Sequence, residues 1–238
     1  MNELDKLQKS GSDVLGGQSG FSLIELLVVL VVAVVFLSVT LFFYQGHRKL
    51  YRPDDTTLLI SDALQEARQR SLTQRETIRI EIDKTSKRLR VIDENQPNTA
   101  DDDRVIRELS LPEPALVTVG ERPINITVNP PESMPVPTAT FLPSTYPMSV
   151  GHSVCTIRFM RDGTVTDAGT NSVGSGAVTT GVTIHIWAPL PGDPQRADIA
   201  RSITIIGASG VIRAWEWDPK ITDTNKWKDS RRAGSLAS

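Results

Sequence analysis

Hydrophobic and polar positions follow three successive patterns along this chain, and each predicts a different element. Residues 21–44 are almost wholly apolar, with one charge, Glu25, near their start. At 1.5 Å per residue the run makes about 36 Å of helix, enough to span a bilayer. Its many valines would also suit a buried strand, but strands rarely exceed about 10 residues, and an isolated strand leaves its backbone unsatisfied in lipid. Next, Leu59, Ile60, Ala63, Leu64, Ala67 and Leu72 recur at helical spacing, while Asp62, Glu66, Arg68, Gln69 and Arg70 fill the other side. This predicts an amphipathic packing helix, with Pro53, Asp54 and Asp55 as its start or restart.

The period then becomes two. Ile78, Ile80 and Ile82 alternate with Arg79 and Glu81, and after the turn "DKTSK" Leu89 and Val91 alternate with Arg88 and Arg90, which predicts a hairpin. Further strands are expected in "ALVTV", "INITV", "SVCTIRFM", "GVTIHIWA", "RSITIIG" and "GVIRAWEW", with Cys155, Ile157 and Phe159 as one inward set. Residues 94–104 read as an exposed loop, and residues 112–147 hold nine prolines, too many for regular central strands. "GTNSVGSGAVTTG" is a small-residue loop without the Lys and helix of a phosphate-binding loop. The fold class is therefore α+β, a long amino-terminal helix continuing into an amphipathic helix packed on an antiparallel, β-rich domain. The expected divisions are a leader at 1–20, a membrane helix at 21–46, an amphipathic region at 47–75 and a β-rich domain at 76–217. The proline-rich insertion at 112–147 lies within that domain, and a polar tail at 218–238, mobile apart from Trp227, follows it.

Composition narrows the partners. With 26 Lys and Arg against 28 Asp and Glu in 238 residues, any basic surface must be local. The single cysteine, Cys155, excludes an intrachain disulfide framework. A cleaved secretory signal has an apolar region of about 7–15 residues followed by a small-x-small site. Here the run is longer and ends in Phe42, Phe43, Tyr44 and Gln45, so a retained anchor is the better reading. Lys6 and Lys9 precede the run and His47, Arg48, Lys49 and Arg52 follow it, so charge does not settle topology.

A carboxylate in a membrane helix costs about 2.5–3.5 kcal/mol at mid-depth and less near the interface. Glu25 is therefore either a headgroup-level acid at the positive end of a helix, or the partner of an α-amino group made by a cut between Gly20 and Phe21. The stretch Gly20, Phe21, Ser22, Leu23, Ile24, Glu25, Leu26, Leu27, followed by a valine-rich run, resembles the amino terminus of type IV pilin precursors and type II secretion pseudopilins. That resemblance implies cleavage after Gly20 by a prepilin peptidase, N-methylation of Phe21, and Glu25 as the assembly residue that meets a neighbouring subunit's amino terminus. The leader is long and lacks Lys or Arg immediately before Gly20, a departure that bears on processing; separately, the membrane run has no proline, the first being Pro53, which leans the assignment toward a minor subunit.

The later order of elements is similar to minor pseudopilins of the GspH and FimT kind, through "LISDALQEARQRSLTQRETIRIEID", "CTIRFMRDGTVTDAG" with Phe159 and Gly163, and "ARSITIIGASGVIRAWEW" around Gly207 and Gly210. The resemblance implies a structural subunit, initiating or capping a filament in the inner membrane, with its carboxy-terminal domain periplasmic. Its partners would be other major and minor pilins or pseudopilins, the inner-membrane assembly platform and secreted cargo.

No catalytic constellation stands against this. His47, His152 and His185 are scattered, Cys155 reads as a core filler, and Ser22, Ser38 and Thr40 suit local helix bonds. The acidic run Asp101–Arg104 lacks calcium-loop spacing and reads as a solvated loop, so no cofactor or metal is expected. Arg213, Trp215 and Trp217 share a strand face and form a candidate partner surface, or else finish the sheet against a loop. Lys220, Lys226, Lys228, Arg231 and Arg232 keep a DNA-uptake pilin as an alternative, although Glu216, Asp218, Asp223 and Asp229 cancel much of their charge. The second alternative is an uncleaved, signal-anchored periplasmic adaptor.

Overall fold

The computed structural model describes residues 21–94, 103–112, 116–167, 169–170 and 176–230, with the backbone alone over residues 42–52. Among the described residues one helix, α1 (Leu23–Gln74), precedes eleven strands. Pro53 lies inside α1 rather than at a new start. A proline removes only one helical donor, and here the Pro53 carbonyl is also engaged by the Thr57 hydroxyl at 2.6 Å. Ser38 and Thr40 donate to the carbonyls of Val34 and Phe36, both at 2.8 Å, as local helix bonding predicts. The helix ends where Arg75 turns into the left-handed region at φ 58°.

The first antiparallel sheet contains β1 (Thr77–Asp83), β2 (Arg88–Glu94), β3 (Arg104–Ser110), β5 (Leu142–Pro143), β6 (Ser153–Phe159) and β7 (Val165–Thr166). Its order is β3-β2-β1-β6-β5, with β7 also on β6. The second contains β4 (Thr118–Gly120), β8 (Gly181–Trp187), β9 (Ala200–Ile206), β10 (Val211–Trp217) and β11 (Trp227–Asp229), in the order β11-β10-β9-β8-β4. The β1–β2 hairpin has the expected register, with Ile80 opposite Val91 and Ile82 opposite Leu89. Its turn is set by Asp83, whose Oδ1 accepts the backbone N–H of Thr85 and Ser86 at 2.8 and 2.9 Å.

The two sheets share one core. Ile60, Ala63, Leu64 and Ala67 of α1 pack with Ile78, Ile80, Ile82, Cys155, Ile157 and Phe159 of the first sheet and Val182, Ile184, Ile203 and Ile205 of the second. Leu72, expected on this face, is 41% exposed, and Ser71 is buried in its place. Residue 71 continues the 60, 64, 67 spacing, whereas residue 72 is rotated off it. The sheets also meet where the Val165 N–H donates to the Gly207 carbonyl at 2.7 Å. A Cβ on Gly207 would lie 1.8 Å from the Thr179 carbonyl oxygen, so no side chain fits there.

Four segments differ from expectation. "INITV" is not a strand: the Asn125 side chain exchanges hydrogen bonds of 2.7 and 3.0 Å with the Ala197 backbone, and Ile126 is buried without any ladder. "ALVTV" contributes only the short β4. The chain after the acidic loop forms β3, an edge strand that sequence alternation did not flag because its charged residues interrupt the pattern. The polar tail is part of the second sheet as far as β11, where Trp227 pairs with Trp217.

The proline-rich insertion covers the face of the second sheet opposite α1. Ile126 and Val128 pack there with Trp187, Trp215 and Trp227. Three indoles pin this strap: Trp187 Nε1 donates to the Glu121 carbonyl and Trp227 Nε1 to the Val128 carbonyl, both at 2.9 Å, and Trp215 Nε1 reaches the Glu132 carboxylate at 3.2 Å. The strap then joins the edge of β8 through reciprocal 2.7 Å bonds between the backbone of Thr183 and that of Pro137 and Ala139.

His185 lies on this covered face, fully buried, with its ring 5.7 Å from that of Trp227. Neither ring nitrogen has a hydrogen-bond partner among the described residues. Burial, reinforced by the nearby Arg122 charge, pushes its pKa down to about 3. The unfolded chain protonates this ring near pH 6.5, so stability is undiminished above that value and falls as pH drops toward 3, by up to ~1.4 kcal/mol per pH unit. His185→Leu should flatten that slope in urea titrations between pH 6 and 4. Leu64→Ala should cost about 2–5 kcal/mol in the same assay, whereas Leu58→Ala, at a site 69% exposed, should change stability by less than about 0.5 kcal/mol.

Candidate functional site

The amino-terminal segment is organised around Glu25. Ser22 caps α1: its Oγ accepts the Glu25 N–H at 3.2 Å, while Glu25 Oε2 accepts the Ser22 N–H and hydroxyl at 3.2 and 3.3 Å. This is a reciprocal capping box, written in the sequence as Ser-x-x-Glu before an apolar run. It gives Glu25 a helix-starting role in addition to the two readings weighed from sequence. From Phe21 to Leu41 every side chain is exposed, Phe21 itself at 82%. Leu23–Leu41 is long and apolar enough to cross a membrane. Gly20 and the rest of the leader lie outside the described residues.

The other candidate chemistry lies in the β-rich unit. The polar alternates of the first sheet are buried like the apolar ones. Arg79, fully buried, pairs with Glu94 at 3.2 Å and Asp103 at 2.8 Å, and its guanidinium carbon sits 3.6 Å from the centre of the Tyr146 ring. Arg158 also binds Glu94, at 2.8 Å, and reaches the Tyr146 hydroxyl at 3.1 Å. Two cations thus face two anions beneath a loop that the insertion supplies. Asp103, expected in a solvated acidic loop, has a side chain only 2% exposed in this cluster, while Asp101 and Asp102 lie outside the described residues.

A second cluster surrounds Arg90, which holds Glu81 at 2.8 Å, Glu108 at 2.9 Å and Asp83 at 3.3 Å. His152 Nδ1 lies 2.7 Å from Asp83 Oδ2. Burial opposes the charge on Asp83, but hydrogen bonds from His152 and from the Ser86 and Thr85 backbone outweigh it and hold its pKa down to about 2. His152 and Cys155 are not brought together: Cys155 belongs to the shared core, where burial pushes its thiol up to about 12, far from a reactive thiolate.

Arg213, Trp215 and Trp217 do share a region, and the chain itself occupies it. Trp215 is 7% exposed under the strap, Trp217 stacks edge-on against Trp227 at 5.3 Å, and Arg213 Nη1 binds Glu132 Oε2 at 2.7 Å. In this form the trio finishes the sheet against a loop of its own chain. Glu132 and the donors Trp187 and Trp227 were missed from sequence. An acid between "NPP" and "SMP" carries no local pattern that reveals a partner 81 residues away. In the tail, Lys228 pairs with Asp218, and Lys226 reaches the Pro219 carbonyl at 3.2 Å. Arg231 and Arg232 lie outside the described residues.

No curated protein and no solved structure matches the chain. Residues 15–41 match the prokaryotic N-terminal methylation motif. The match takes in the Gly20–Phe21 junction, the Ser22–Glu25 cap and the exposed apolar segment Leu23–Leu41. This chain therefore carries a type IV pilin-like prepilin signal, joined to an α+β domain of one long helix and two antiparallel sheets.

Proposed function

We propose that the protein is a minor pilin or pseudopilin, a structural subunit that initiates or caps a type IV pilus or type II secretion pseudopilus. The observation that carries this is the methylation motif over residues 15–41 coinciding with an apolar helical segment, Leu23–Leu41, whose side chains are all exposed. Such a surface needs lipid or other helices to cover it. In this reading a prepilin peptidase cuts between Gly20 and Phe21, and the new Phe21 amino group is methylated. The helix anchors the precursor in the inner membrane and later packs against other subunits, with the β-rich domain in the periplasm. No catalytic role is assigned to the domain; it presents surfaces to neighbouring subunits or to cargo.

Glu25 would set the axial position of the subunit. Its Oε2 is engaged by Ser22, and Oε1 has no hydrogen bond among the described residues, so a neighbour's amino group can be met without breaking the cap. An ion pair in a low-dielectric bundle is strongly penalised when one partner is missing, which makes it a register device.

Mass spectrometry of the membrane-extracted chain, with and without an active prepilin peptidase, tests the reading. A peptidase-dependent start at Phe21 with one added methyl group is expected; an intact Met1 end in both samples would return the segment to an uncleaved anchor. Glu25→Gln keeps an oxygen that can cap Ser22 but loses the charge. It should be processed normally and yet fail to enter sheared filaments, and normal entry would overturn the pairing.

A further inference from the structure

Glu132 occupies a built carboxylate site. Its side chain is 2% exposed, Oε2 accepts Arg213 Nη1 at 2.7 Å, and Oε1 accepts both Trp215 Nε1 at 3.2 Å and the Thr204 hydroxyl. Arg213, Thr204 and Trp215 come from the paired strands β9 and β10, so the receptor half of the site belongs to the rigid sheet. The carboxylate comes from an irregular strap in which residues 123–137 include five prolines. Proline removes backbone donors, and the strap's backbone-to-backbone ties to the rest of the chain are Ile124 to Gln195, and Pro137 and Ala139 to Thr183, while its Val128, Asn129 and Val136 carbonyls are held by the side chains of Trp227, Asn225 and Thr183.

What lies beneath the strap is unusual for a permanent interior. Thr183, His185, Ser202 and Thr204 are all fully buried there beside Trp187, Trp215 and Trp227, and both His185 nitrogens lack partners among the described residues. Leaving a buried polar group unpaired is costly, whereas an apolar residue in its place would be neutral or better. A polar and aromatic face with an arginine at its margin has the make-up of an interaction surface.

We infer that this face of the second sheet is a docking surface held closed by Glu132, and that it receives an extended, acidic, proline-containing segment of a second polypeptide whose carboxylate replaces that of Glu132. The strap supplies the template, since it shows the backbone form and the charge that the site accepts. Charge complementarity selects the occupant: Arg213 is only partly exposed and needs an anion in either state. The inference concerns the β-rich domain alone and is independent of processing at Gly20.

Hydrogen exchange on the detergent-solubilised full chain provides the test, with a synthetic peptide of residues 128–136, "VNPPESMPV", as the probe. In the unmodified protein the Ile126 and Glu132 amides and the Trp227 indole should exchange at least about tenfold faster than the β8–β9 ladder, marking opening short of global unfolding. Glu132→Gln should speed them a further ~10-fold while β1 and β2 are unchanged. Millimolar peptide should restore protection to the Trp227 indole of Glu132→Gln while the displaced strap amides stay exposed, and the same peptide with Gln for Glu should leave that indole unprotected. Arg213→Gln, at a partly exposed site, gives a second opened form that the acidic peptide should fail to protect. Strap amides that exchange only with the whole domain would overturn the inference, as would equal protection by both peptides.

Discussion

Central strands buried on both faces are the constraint from which the rest of the β-rich unit follows. In β1, β6 and β8, both sets of alternating side chains are shielded from water. A single amphipathic helix can cover only one side of such a pair of sheets, and α1 does so with Ile60, Ala63, Leu64 and Ala67. The opposite faces must be covered by something other than regular structure. The proline-rich insertion meets that need, passing over the second sheet as a strap and over the first as the loop that carries Tyr146. Prolines suit this task because an irregular cover has few partners for backbone donors, and each proline has one fewer to satisfy.

The two covered faces solve their polarity differently. On the first sheet, Arg79, Arg158, Glu94 and Asp103 neutralise one another, and Tyr146 bridges them with its hydroxyl and ring. Buried ion pairs of this kind add little net stability against well-packed apolar residues, but losing any one partner strands a charge. They therefore constrain the arrangement more than they strengthen it. On the second sheet a single carboxylate, Glu132, serves an arginine, a threonine and an indole, and one imidazole is left unsatisfied.

The legibility of these features tracks the distance between the residues that create them. The apolar run, the helix spacing at 60, 63, 64 and 67, and the alternation in β1, β2, β6, β8, β9 and β10 are local signals, and all are realised in the structure. The Ser22–Glu25 cap was also written locally, but the long apolar run drew attention to the membrane rather than to the helix start. The strap was not readable in this way. Ile124 and Ile126 look like strand residues because their alternation is real; what breaks the strand is the Asn125 amide bonding the Ala197 backbone, 72 residues away. Arg79 and Glu81 look like the solvent side of a hairpin, and only the return of the chain at Tyr146 makes that side an interior.

Glu25 and Glu132 share a physical logic that connects the ends of the protein. Each carboxylate is satisfied within its own chain by groups held on regular structure, the first turn of α1 in one case and β9–β10 in the other. An isolated subunit with unsatisfied carboxylates at these positions would be destabilised at a helix start and under a sheet cover. Internal partners remove that penalty while the subunit is alone. They also match the chemistry an incoming partner would bring, an ammonium at Glu25 and another carboxylate opposite Arg213. Opposite Arg213, the exchange of one carboxylate for another costs far less than the creation of a new buried charge, because desolvation has already been met in the closed form, whereas Glu25 is exposed and keeps its cap. For a chain bearing a prepilin-type signal, that property allows a stable monomer and a surface ready for assembly to coexist in one fold.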